Sequence, residues 1–420
     1  MRISDTSTPV VALKLFDHCG VGMMRSLGRL RIRVYGVDAN PGNRAFSSRY
    51  CTGRFVWNAE QEPADKTISF LQDLARRLGQ RPILITNGDV LSLFATDHAS
   101  ELQDAFRFRM PASKLARSLS HKWEMYRLAK EWGIPTAETF LPASRREAEE
   151  IMASGALTFP VLLKGADSAL LEQKTGVRMM IVHNAQEFRE KYDELADPEQ
   201  PNLMLQEYIP GEADSIWMFN GYFNANSDCL AGMVGRKLRQ YPAYTGMTSL
   251  GVLVKNEQVN RDTRRFLKSV GYQGIVDLGY RFDARNGQYK LLDVNPRIGA
   301  TFRLFQDQQG LDVLRAYYLD LTGQPVTPVE VREGRKWLVE NNDLITFSRL
   351  RKDGKITLWK WLRSFWGVKE GGWFAWDDPV PFLRMMKSLV GHFLRWARRS
   401  AIKPRQGPNG LERVQNPSVY

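Results

Sequence analysis

The chain has 420 residues, 43% of them hydrophobic and 25% charged, with 59 Lys or Arg against 46 Asp or Glu. That composition excludes a wholly disordered chain, and the length suffices for two or three domains. The formal net charge of +13 is uneven: residues 331–420 hold 18 Lys or Arg, 8 Asp or Glu and 7 of the 11 Trp, so a near-neutral body carries a basic, Trp-rich tail.

In chain order, PVVALKLF (9–16) reads as a strand closed by Asp17–Gly22. A helix from Met23 to Leu30, a strand from Ile32 to Val37 and another at 82–86 follow, which indicates an open α/β unit with a parallel sheet. Gly20 and Gly22 invite a dinucleotide-loop reading, but the third glycine of that fingerprint falls on Arg25, so a βα turn is expected. A helix spans His121–Trp132, ending at Gly133 before Pro135. Phe159–Gly165 is a strand delivering Lys164, and a polar loop (166–176) leads to a second strand at 179–182. After a helix around 185–195 come strands at 203–209, 233–238, 274–282 and 289–294.

Cys19, Cys51 and Cys229 are odd in number and far apart, and the five His do not cluster with them. A disulfide framework and a zinc site are therefore not expected. No run approaches the ~18 apolar residues of a membrane span, and MRISDTSTPV lacks the apolar core of a signal peptide. The expected location is cytoplasmic. Neither a P-loop nor a Ser/His/Asp constellation is evident.

The chemistry concentrates in LLDVNPR (291–297). Alternation along a strand sends Asp293 and Asn295 to one face and Leu292 and Val294 to the other. A carboxylate and an amide oxygen two residues apart are hard ligands suited to Mg²⁺ between phosphates, or to a strand-end cap. Asp277, one strand earlier, offers a second carboxylate, with Asp283 as a fallback.

Lys122 at a helix start, Lys164 closing PVLLK, QEYIPGE (206–212) and LDVNPR (292–297) occur in an order and spacing that resemble the ATP-grasp superfamily. RSLGR (25–29) resembles the pre-ATP-grasp lobe of its carboxylate–amine ligase branch. The resemblance covers about residues 10–325. It implies a pre-ATP-grasp α/β domain over 1–110, an ATP-grasp domain over 111–328 with a lid at about 140–205, and a basic extension over 329–420. It also implies ATP and Mg²⁺ (or Mn²⁺) as cofactors, and small-molecule carboxylate and amine substrates. Lys122 and Lys164 would contact ATP phosphates, with Lys164 also near the adenine. Gln206, Glu207, Tyr208 and Ile209 would form the adenine hinge, and Glu212 or Asp214 would bind ribose. Asp277, Asp293 and Asn295 would hold the metal. Arg297 would sit at the transferred phosphoryl group, with Arg236 and Lys237 near phosphates or the substrate carboxylate. The segment 165–176 departs from the family's Gly-rich phosphate loop, and Lys174 and Arg178 could cover the triphosphate by charge instead. Gln240–Gly251 would line the substrate pocket. An acid–thiol ligase, a carboxylase-like enzyme and a non-catalytic nucleotide binder at a membrane are the alternatives; a biotin-carrier Met-Lys-Met motif is absent.

In the tail, Phe382, Met385, Met386, Leu389, Phe393 and Trp396 recur at helical spacing, with Arg384, Lys387, Arg395 and Arg398 opposite. Residues 358–399 therefore read as a face for an anionic membrane or a protein partner, or as a helix packing on the chain's own core. Nucleic acid fits less well, because phosphates would leave the apolar stripe unused. Residues 404–420 are expected to be disordered.

Overall fold

The structure, a computed structural model, describes residues 3–402 except Arg178 and Pro198, with 168–169 and 392–402 described as backbone. The expectations for Arg178, for the side chains of Phe393, Arg395, Trp396 and Arg398, and for 404–420 lie outside the described residues.

Three sheets organise the chain. Val10–Leu13 (β1), Val34–Asp38 (β2), Cys51–Val56 (β3) and Ile83–Thr86 (β4) pair in parallel in the order β3-β2-β1-β4. β1 and β4 are buried along their whole length, as parallel strands covered on both faces are. The stretch after β1 differs from the sequence reading. Its helix begins at Asp17 and runs to Gly28, so Gly20 and Gly22 lie inside it. They are there for close packing: a Cβ on Gly20 would come 2.8 Å from Leu15 Cβ, and one on Gly22 3.0 Å from Arg303 Cγ.

Thr139–Phe140 (β5), Val161–Gly165 (β6), Met179–Val182 (β7) and Leu203–Glu207 (β8) form an antiparallel sheet ordered β5-β8-β6-β7, with its own core around Leu163, Leu171, Phe188 and Leu205. Between β6 and β7, where a polar loop is expected, Ser168–Thr175 is helical.

Ile216–Phe223 (β9), Cys229–Tyr241 (β10), Met247–Leu253 (β11), Gly274–Asp283 (β12), Gln288–Asn295 (β13), Lys336–Leu338 (β14) and Val368–Gly371 (β15) make the central sheet, ordered β13-β12-β9-β10-β11-β14-β15. Helices Lys122–Glu131 and Glu257–Ser269 bury Met125, Ala129, Val259 and Phe266 against Phe219, Val276 and Leu291 of this sheet.

The basic tail is not a loose appendage. Its first half supplies β14 and β15, and Trp337 and Trp373 are buried in the core shared with helix Asp17–Gly28. The anchor is ionic. Arg25 Nε donates to Asp378 Oδ2 at 3.0 Å and its Nη2 to Trp373 O at 2.6 Å, with both side chains fully buried. Glu370 accepts from Arg303 at 2.9 and 2.8 Å and from Arg335 at 2.9 Å. Burial opposes ionisation of Glu370, but the arginines outweigh it and hold its carboxyl down at about 2. The three acids Glu370, Asp377 and Asp378 thus all face arginines of the body.

Candidate active site

β12 and β13 pair so that Asp277 lies opposite Asn295 and Gly279 opposite Asp293. Directly opposed residues share a sheet face, which brings two carboxylates and an amide to one patch. Asn295 Nδ2 donates to Asp293 Oδ2 at 3.1 Å and to Asp277 O at 3.2 Å, and Asn220 Nδ2 of β9 donates to Asp277 Oδ1 at 3.3 Å. Two glycines clear the space: a Cβ on Gly279 would overlap Asp293 Oδ1, and one on Gly299 would come 2.5 Å from Asp277 Cγ.

Four cations surround this patch. Burial opposes ionisation of Asp293, but Lys122, Asn295, Lys237 and Lys164 together outweigh it and hold its carboxyl below the usual range. Lys164 is pushed down to about 8, first by burial and then by Lys122. Lys237 is lowered by burial against the pull of Asp293 and Asp277, and its Nζ donates to Gly246 O at 3.1 Å. Arg297 spans the sheets: its Nε donates to Asp89 Oδ1 at 2.6 Å, just past β4, and its Nη2 to Asn295 Oδ1 at 3.3 Å. Asp277 is pushed up to about 6, mainly by burial; Arg297 opposes the rise and Asp293 adds to it. Lys122, Lys164, Lys237, Arg297, Asp277, Asp293 and Asn295 are therefore brought together where the three sheets meet.

The remaining candidates lie elsewhere. The Glu207 carboxylate is engaged by Lys290 Nζ at 2.7 and 2.9 Å and by Arg285, and the Gln206 amide donates to Thr139 Oγ1 at 2.8 Å. Neither side chain is free to read a base edge; both tie the 206–209 segment to the neighbouring strands. The backbone groups of Tyr208 and Ile209 carry no hydrogen bond among the described residues. Glu212 and Asp214 are both exposed beside a short turn, and Glu212 lies 3.6 Å from Lys355. Arg236 places its guanidinium over the Trp217 ring at 5.7 Å, with its buried Nε unpartnered. Lys174 pairs with Asp197 at 2.7 Å. Asp283 is no metal ligand: it lies at the far end of β12, opposite Gln288, where Arg285 and Lys290 hold it far below the carboxylate range. Neutralising Lys290 (Lys290→Met) should leave Glu207 and the buried Asp283 sharing Arg285 alone, and loosening of the 203–209 segment should appear as faster amide exchange there.

Sequence reasoning missed Asn220, Gly279, Gly299 and Asp89. Gly279 alone left a signal, two residues from Asp277 on the same strand face.

Among the described residues no group of three or more His, Cys, Asp or Glu converges as a metal site. The Asp277–Asp293–Asn295 set nonetheless suits Mg²⁺: two carboxylates and an amide supply hard oxygen, one carboxyl is driven up by burial, and two glycines keep the approach open.

No family model matches the chain. It is 25% identical over 317 residues to a D-aspartate ligase of Enterococcus faecium (strain Aus0004), spanning 70% of this chain and 72% of that one. Its fold resembles the biotin carboxylase domain of a Hydrogenobacter thermophilus 2-oxoglutarate carboxylase complexed with MgADP, at TM-score 0.56 and 16% identity, over 78% of this chain and 73% of that one. It also resembles N5-carboxyaminoimidazole synthetase of Staphylococcus aureus complexed with ADP, at TM-score 0.57 and 10% identity, over 78% and 79%. The chain has the ATP-grasp fold.

Proposed function

We propose that the chain joins a small acidic amino acid of the aspartate type to an amine. The observation that carries this is the seven-residue convergence at Asp277, Asp293 and Asn295, coupled with the relative's action on D-aspartate. A dicarboxylate has one carboxyl to activate and another to anchor. Arg236, with a buried unpartnered Nε, is the anchor we assign.

A substrate carboxylate oxygen attacks the γ-phosphorus of ATP and ADP departs, giving an acyl phosphate. The amine nitrogen then attacks that carbonyl, phosphate departs, and the nitrogen loses a proton. Such transfers need positioning and charge neutralisation rather than a protein nucleophile. Lys122 and Lys164 hold the phosphates, and Arg297, tethered to Asp89, meets the transferred group. Lys237, fixed by Gly246, faces the same phosphates. Tyr208 and Ile209 offer free backbone groups to the adenine edge, while Glu207 and Gln206 stiffen the strand that presents them. Either Glu212 or Asp214 reaches the ribose. When bound at Asp277, Asp293 and Asn295, Mg²⁺ neutralises phosphate charge. The boundaries 1–110, 111–328 and 329–420 remain our division of the chain.

Two outcomes check this. ADP release should require both D-aspartate (or a close dicarboxylic analogue) and an amine; release indifferent to both would count against a ligase. Lys164, with its proton lost near pH 8, should make the KM for ATP rise above that pH, by about tenfold or more if one charge-assisted bond is lost. Lys164→Arg should move the rise out of range, and an unchanged profile would remove Lys164 from the phosphate site.

A further inference from the structure

Seven Trp lie beyond residue 330, and they divide sharply. Trp337 and Trp373 are buried, whereas Trp359, Trp366 and Trp376 are 73%, 88% and 90% exposed. Helix Leu358–Ser364 and the turn after it show why. Trp361 stacks on Phe347 at 4.4 Å, and its indole N–H donates to Asp343 at 2.9 Å, which fixes the inward face. Trp359, Leu362, Arg363 and Trp366 recur at i, i+3, i+4 and i+7 on the other side and stand in solvent. Helix Val380–Ile402 does the same. Met385 is buried, while Leu383, Met386, Lys387 and Val390 form an exposed stripe. The two helices flank an apolar groove of about 240 Å³ lined by Leu344, Trp361, Phe365, Phe382, Met386 and Leu389.

Charge is sorted in the same way. From 356 to 391 the acids are Glu370, Asp377 and Asp378, and each is paired with an arginine of the body. The bases Lys360, Arg363, Lys369, Arg384 and Lys387 are exposed and form no ion pair among the described residues. The sequence from 379 to 411 contains no Asp or Glu. Exposed indoles interleaved with unpaired cations, and acids withdrawn from the face, match one chemistry: the headgroup region of an anionic bilayer, where amphipathic rings and Lys or Arg settle together. No helix among the described residues is long and apolar enough to cross a membrane, so the contact is peripheral.

We infer that the face built from 358–366 and 380–391 docks this enzyme on an anionic lipid surface. The reading is independent of the substrate assignment, because it needs neither ATP nor acceptor.

The test is co-sedimentation of the full chain with phosphatidylcholine vesicles, with and without phosphatidylglycerol, at low and high salt. Binding should require phosphatidylglycerol and weaken with salt. Lys360→Glu/Arg363→Glu/Lys387→Glu should lose affinity by at least about fivefold per charge. Trp359→Ser/Trp366→Ser/Leu383→Ser should lose it while keeping ATP turnover. Trp366→Ser alone, at a nearly fully exposed site, decides the matter if the triple variant fails to fold. No sedimentation with phosphatidylglycerol vesicles, or binding unchanged in every variant, would overturn the inference. Self-association abolished by the serine variant, without vesicle binding, would overturn it too and assign the face to a second copy.

Discussion

Asp277→Asn is expected to stabilise the nucleotide-free protein and abolish ATP turnover. The carboxyl is pushed up to about 6, chiefly by burial and further by Asp293. A folded-state pKa above the ordinary 3.8 means that stability present below about pH 4 is lost as pH rises through 6. At neutral pH the ionised group thus costs the apo fold on the order of 2–3 kcal/mol. Asparagine keeps the shape and the contact with Asn220 but removes that cost, so the melting temperature of the variant should exceed the wild type's at pH 7 and match it near pH 4. Mg²⁺ favours the ionised carboxylate, so wild type should gain stability from Mg²⁺ with nucleotide while Asp277→Asn gains little. A variant no more stable than wild type at pH 7, or one that still turns ATP over, would contradict the assignment of Asp277.

The largest stability loss is expected at Arg25. Its guanidinium donates to Asp378 and to the carbonyls of Trp373 and Asp378, and Asp378 also accepts from Ser48 Oγ at 2.7 Å and Arg49 N at 2.9 Å. Removing one member of a fully buried pair leaves the other charge uncompensated, at about 3–5 kcal/mol. Arg25→Ala should therefore shift the urea midpoint strongly and release the 373–378 segment from helix Asp17–Gly28, read as protease cleavage there. A double change that removes both charges (Arg25→Met, Asp378→Leu) should recover much of the loss. If Arg25→Ala unfolds like wild type, the tail is not held to the body in this way.

The two predictions mark what could and could not be seen in the chain. Asp293 and Asn295 were legible because strand alternation is local: LLDVN states by itself which side chains share a face. The four motifs in order made the ATP-grasp architecture legible as well. Asn220, Asp89 and Gly299 were not, because strand register and the meeting of separate sheets bring them to the site, and no local pattern encodes that. The helix Ser168–Thr175 was hidden by a polar stretch with almost no amphipathic stripe. The tail misled through its charge. Composition showed an excess of base and Trp, but the pairing of β14 with β11 spans more than 80 residues, and only folding reveals that Glu370, Asp377 and Asp378 pair with arginines of the body. Glu207 and Lys174 were legible as charged groups in the right segments, yet each has an ion-pair partner that the sequence did not name.

The central claim is that a substrate carboxylate is phosphorylated before the amine attacks. Isotope transfer tests it most directly: with ¹⁸O in the carboxylates of D-aspartate, ATP, Mg²⁺ and an accepted amine, the phosphate released should carry one ¹⁸O by mass spectrometry, at one label per amide formed. Phosphate free of ¹⁸O while amide accumulates would contradict the acyl phosphate route.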